Sequence, residues 1–152
     1  MERKRSRILV KLIAIALILS LCAPIGTQAA MPETVQPMAS AYLMDYTAYI
    51  IPMGDGDLDI WFEVTGTDYW ADIGALSIFL YESTDNVNWY WVKSYQHDHY
   101  PNMLWHDDYM CMDYVDYDGV PGRYYKAYVH IWAGPEDGGD GRYIWTPVER
   151  CT

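Results

Sequence analysis

The sequence predicts an all-β domain of antiparallel strands behind a cleavable export segment. Three observations carry this. Past residue 40, apolar and polar residues alternate with period two in short runs, whereas no stretch of useful length keeps a helical period. The runs are punctuated by clusters of Gly, Asp, Asn and Pro, the residues that tight turns require. All 7 Trp and all 15 Tyr fall in this part of the chain, and both types favour strands.

In chain order, Arg3, Lys4, Arg5, Arg7 and Lys11 form a basic stretch ahead of an apolar run at 12–21, the pattern of an export signal. A membrane-spanning helix takes about 20 apolar residues, and Pro24 and Gly26 interrupt this run first. Small residues at Thr27 and Ala29 suit a signal peptidase, so cleavage is expected after Ala29 or Ala30. An uncleaved N-terminal anchor is the competing reading. Compared with lipid-modified precursors, Leu21 is too large a residue ahead of Cys22. Residues 1–29 are therefore read as a signal peptide, 30–40 as a short Pro-containing linker and 41–150 as the folded domain.

The first two strands are expected at 42–51 and 57–65, joined as a hairpin through the Gly- and Asp-rich residues 52–56. In the second, Leu58, Ile60, Phe62 and Val64 share one face, and Asp59, Trp61 and Glu63 the other, so one face is core and one is wet. Strands at 76–82 and 89–95 flank a polar loop at 83–88. A long irregular connection at 96–107 leads to a strand at 108–117. The turn Gly119-Val120-Pro121-Gly122 feeds a strand at 123–133, and the Asp/Gly loop at 134–141 returns the chain as 142–148. Seven strands in about 110 residues match an antiparallel two-sheet sandwich of the immunoglobulin or fibronectin type III kind. A jelly roll or small barrel satisfies the same alternation. Tyr125 opens the sixth strand just after a Pro-Gly turn, the place of a tyrosine corner, whose hydroxyl bonds back to the preceding loop. An inward tyrosine with its hydroxyl at the rim is the plainer alternative.

The segments Asp72-Ile73-Gly74-Ala75-Leu76-Ser77-Ile78, Tyr81-Glu82-Ser83-Thr84-Asp85 with Trp89 and Val92, Gly122-Arg123-Tyr124-Tyr125-Lys126-Ala127-Tyr128-Val129, and the closing Gly-rich loop with Arg142 and Thr146 carry a likeness. Through them the chain resembles a family of small exported proteins of Gram-positive, mainly clostridial, bacteria whose function is unknown. The likeness covers nearly the whole domain and implies fold and export without an activity. This chain departs from it in its richness in Trp, Tyr and Asp.

Composition narrows the partners. The chain carries a net charge of −11, and the export segment holds half of the bases, so the domain is more acidic still. Its bases, Lys93, Arg123, Lys126, Arg142 and Arg150, form no cluster, which excludes the positive footprint that nucleic acid requires. Membrane contact is expected only through an uncleaved export segment. Cys111 and Cys151 remain after cleavage, and outside the cell an even count permits one disulfide. The alternative is two unpaired thiols, one packed in a strand and one on a loose tail.

Two groups suggest metal. Asp55, Asp57 and Asp59 offer alternate oxygens to calcium, but Ile60 stands where a calcium-binding helix–loop–helix requires glycine. The loop 136–141 is a similar acidic candidate. His97 and His99, with Asp98 and then His106, Asp107 and Asp108, lie at spacings that bind zinc or copper. That loop supports the alternative reading of a small secreted metal-dependent hydrolase acting through 96–108, set against solvated loop residues. His130 reads as a surface histidine. No nucleophile elbow is present, and Cys111 suits packing better than thiolate chemistry. No catalytic residue is therefore assigned, and no cofactor is implied beyond the calcium candidate.

Aromatics carry the functional expectation. So many Trp and Tyr exceed what a small core holds. By alternation Trp61 faces out among acids, and Tyr124, Tyr128 and Trp132 line the outer face of their strand. Such a surface stacks on sugar rings or receives a protein; the plain alternative is large side chains used for cross-strand contact. The expected function is that of a secreted, non-catalytic binding or surface-interaction module. Its partner would be a cell-envelope or host glycan, or an extracellular protein. A structural envelope component or secreted effector is the remaining alternative.

Overall fold

The computed structural model describes residues 40–152. The segment read as a signal peptide, 1–29, and all but the last residue of the one read as a linker, 30–40, lie outside the described residues. Seven antiparallel strands follow: β1 (Leu43–Gly54), β2 (Asp57–Ser83), β3 (Tyr90–Gln96), β4 (Leu104–Asp118), β5 (Tyr124–Gly134), β6 (Asp140–Trp145) and β7 (Glu149–Arg150), with a 3-10 turn at Pro101–Met103.

The all-β class and the number of strands agree with the sequence reading, but three boundaries differ. The strands expected at 57–65 and 76–82 are the two halves of one long strand, β2. Its buried positions run Leu58, Ile60, Phe62, Val64, then Ile73 and Ala75, then Ile78 and Leu80. The inward set thus changes parity twice. The pairing register shifts at the same places, between Thr65 and Trp70 against β4 and between Ala75 and Ser77 against β5. Bulges of this kind move side chains to the other face while the strand continues, so alternation alone reads one strand as two. The connection expected at 96–107 is also shorter, because pairing begins at Gly74 opposite Leu104. The last strand is the third difference: β6 ends at Trp145, and only Glu149 and Arg150 pair again.

β2 organises the sheet. Along one edge it pairs first with β1 and then with β5; along the other it pairs first with β4 and then with β3. β6 and β7 pair with β5. Twenty-seven extended residues would span about 90 Å, yet the ends of β2 lie together. Tyr117 pairs with Leu58 near the start, and its ring lies 5.8 Å from that of Tyr125, which pairs with Glu82 near the end. The sheet therefore curls back over itself around one core. Ile60, Phe62 and Val64 of the first half and Ile78, Leu80, Tyr125, Val129 and Ile131 of the second are fully enclosed there. Each such apolar side chain contributes about 1.5–3 kcal/mol by leaving water.

Turn chemistry fixes the register. Asp55 and Gly56, with φ of 55° and 100°, form the two-residue turn between β1 and β2, which is the type that suits the twist of a hairpin. Pro121 and Gly122 (φ 88°) form the turn before β5, closed by Arg123 N–H donating to Val120 O at 3.1 Å. The tyrosine corner is present: the buried Tyr125 hydroxyl accepts from Val120 N–H at 2.9 Å and donates to Glu82 Oε2 at 3.1 Å.

The two thiols are free, and this corrects the disulfide expectation. Cys111 is opposite Val64, while Cys151 Sγ donates to Gly56 O at 3.3 Å. Some eight residues of β2 separate those places, roughly 25 Å, whereas a disulfide needs Cα atoms within about 7 Å. Cys151 is buried rather than on a loose tail. Burial, helped by the Asp113 charge, pushes the Cys111 thiol up to about 12.

Candidate functional site

Residues directly opposite on neighbouring strands share a face, so the register defines what the outer surface presents. Over the second half of β2, the rows run Trp91–Tyr81–Lys126, then Ser94–Phe79–Tyr128–Trp145, then Gln96–Ser77–His130–Tyr143. These rows contain no acid. The rings pack into a continuous platform: Tyr128 lies 5.1 Å from Tyr143 and 4.6 Å from Trp145, His130 lies 4.1 Å from Tyr143, and Tyr81 lies 5.4 Å from Trp145. Lys126 Nζ sits between two indoles, 4.3 Å from Trp89 and 4.6 Å from Trp145, so its charge is already satisfied by ring faces. Trp91 is 60% exposed and makes no ring contact among the described residues; Tyr143 and Trp145 are each about half exposed. Burial lowers the pKa of His130, which favours its neutral form. It faces outward, as alternation predicts, and is half-buried in the platform against Tyr143.

A second outer face lies over β1, the first half of β2 and β4. Its rows run Ile51–Asp59–Asp116, Tyr49–Trp61–Tyr114 and Thr47–Glu63–Met112. Trp61 is flanked on both sides, by Tyr114 at 4.8 Å and Tyr49 at 6.4 Å, and Tyr49 donates its hydroxyl proton to Glu63 Oε1 at 2.7 Å. Asp59 has its pKa raised by burial and then by the Asp116 charge beside it.

The four aromatics singled out from the sequence therefore do not meet. Trp61 belongs to the second face and Tyr128 to the platform. Tyr124 sits at the far end of β5, 5.8 Å from the Arg150 guanidinium. Trp132 is covered by the β5–β6 loop, where Gly139 approaches so closely that a Cβ there would overlap the indole. Sequence reasoning missed Tyr81, Trp89, Trp91, Tyr143 and Trp145. The outward parity of Tyr143 and Trp145 was visible in the alternation of residues 142–148, but which strand neighbours β5 was not.

The metal candidates are not gathered either. Asp55 occupies the turn, Asp57 stands opposite Asp118 and Asp59 opposite Asp116. His99 Nδ1 meets only Asp98, at 2.8 Å, and His106 Nδ1 meets Asp72, at 2.7 Å; His97 lies in the connection, where its backbone N–H donates to Leu76 O. Among the described residues, no three His, Cys, Asp or Glu side chains converge as a metal site.

No family model, curated protein or solved structure matches this chain.

Proposed function

We propose that this protein is an exported, non-catalytic binding module whose β3–β2–β5–β6 platform takes a neutral glycan. The basic and apolar pattern of residues 1–29 and the likeness to exported Gram-positive proteins support export. The tyrosine corner and the doubled-back sheet support an immunoglobulin- or fibronectin type III-like arrangement.

One observation carries the ligand class: acid-free rows over four strands whose aromatic rings are continuous across β2, β5 and β6, with an open indole at Trp91 on β3 and half-open rings at Tyr143 and Trp145. Sugar rings present C–H faces that stack on such rings, and the hydroxyls of Tyr81, Tyr128 and Tyr143 suit sugar hydroxyls. A charged ligand would find only Lys126, already held between two indoles.

Titration of the protein with neutral envelope and host polysaccharides, followed by tryptophan fluorescence, tests this. Saturable binding is expected, weakened about fivefold by Trp91→Ala and by Trp145→Ala, since a stacked ring contributes about 1 kcal/mol. A glycan array without a response would remove the reading.

A further inference from the structure

The charge is unevenly placed. β1, β2 and β4 contain no Lys or Arg; Lys93 of β3 lines a neighbouring cavity with Asp116 and Asp118, while Asp57, Asp59 and Glu63 have no cation of their own strands to meet. Two like-charged pairs are directly opposed, Asp57 with Asp118 and Asp59 with Asp116, an arrangement a sheet avoids unless something positive covers it. The four aspartates, with Met53 and Tyr117, wall a cavity of about 310 Å³ that opens to the surface. Exposed apolar groups share this face with it: Ile51 opposite Asp59, Tyr114 opposite Trp61 and Met112 opposite Glu63, besides Met53 in the cavity wall. Aromatic and methionine contacts with a charged rim are features of protein interfaces.

We propose that this face docks an extended, arginine-bearing segment of a cationic protein. A guanidinium is planar, bridges two carboxylates through paired N–H donors and stacks on aromatic rings, which fits a carboxylate pair beside the Tyr49–Trp61–Tyr114 row. The geometry sets a pattern. Asp59 and Glu63 are four residues apart on β2, about 13 Å, with Trp61 midway. An extended segment running along β2 with arginines four residues apart places one on Asp59 and Asp116 and the next on Glu63. The side chain midway lies over the aromatic row and is apolar. This face shares no residue with the platform, so the proposal does not rest on glycan binding.

The test uses a ten-residue peptide with arginines four apart and a leucine midway, and a scrambled peptide of the same composition with its arginines adjacent. Binding is followed by tryptophan fluorescence and calorimetry at about physiological salt, where diffuse attraction is screened within roughly 8 Å. Saturable binding is expected to weaken at least tenfold in Asp59→Asn/Asp116→Asn and at least fivefold for the scrambled peptide. It should change less than twofold in Glu136→Gln/Asp137→Asn, which removes the same charge from the exposed β5–β6 loop. Near-UV circular dichroism confirms that both double variants are folded. Absence of binding, equal losses in both variants, or indifference to scrambling would overturn the proposal. So would saturable calcium binding that depends on Asp59 and excludes the peptide.

Discussion

Tyr125 is fully enclosed, yet its hydroxyl is satisfied on both sides, by Val120 N–H and by Glu82, which also accepts from Arg123. Tyr125→Phe keeps the ring and leaves the Val120 donor without its partner, which costs about 1–2 kcal/mol; urea denaturation should show the midpoint fall with an unchanged slope. Gly74 is the other position where one atom decides. Its φ is 146°, and a Cβ there would stand 2.2 Å from Met103 O, a backbone atom that cannot rotate away. Gly74→Ala should therefore destabilise by about 3 kcal/mol, at the upper end of overpacking costs, in the same measurement. Tyr125 was legible in the sequence because a Pro-Gly turn and inward alternation both point at it. Glu82, its partner, was not: 43 residues separate them, and no local pattern announces a long-range bond.

β2 shows why strands were easier to read than their joining. Each half announces itself by alternation, but the bulged stretch between them carries Thr67, Asp68 and Tyr69 outward in succession, which in a sequence resembles a loop. The backbone there continues to pair nonetheless, with Trp70 opposite Asp108 and Asp72 opposite His106. The same limit applies to the candidate site. Which residues face outward followed from period two, whereas which aromatics become neighbours depends on strand order, and that is fixed by long-range pairing. One consequence of the register is a repulsion between Asp59 and Asp116, directly opposite each other. Asp59→Asn removes it and should stabilise the fold by about 0.5 kcal/mol, within the range of cross-strand pair effects. Asp137→Asn, on an exposed loop, should be neutral in the same thermal scan.

At the scale of the whole described domain, ionisable groups pull its stability in opposite directions as pH falls. Burial lowers the pKa of His130, so the folded state binds its proton less readily than the unfolded chain. Its contribution is present above the unfolded value of about 6.5 and is lost as pH falls toward the folded one. Asp59 has the opposite sign. With its pKa raised, the folded state takes up a proton first, and stability is gained as pH falls through that raised value toward about 3.9. Below this, Asp85 and Asp140, both held low by hydrogen bonds, Asp140 against the opposing effect of burial, lose their contribution as they are protonated. The melting temperature should therefore dip on acidification from pH 7, recover, and then fall. His130→Phe keeps a ring against Tyr143 and never charges, so it should abolish the dip and leave the recovery. Asp59→Asn should flatten the recovery and leave the dip. A dip that survives His130→Phe would mean that another group controls it. Added salt separates these local effects from the general repulsion of a chain with net charge −11: screening raises the whole profile, whereas the partly buried His130 keeps its dip at every ionic strength.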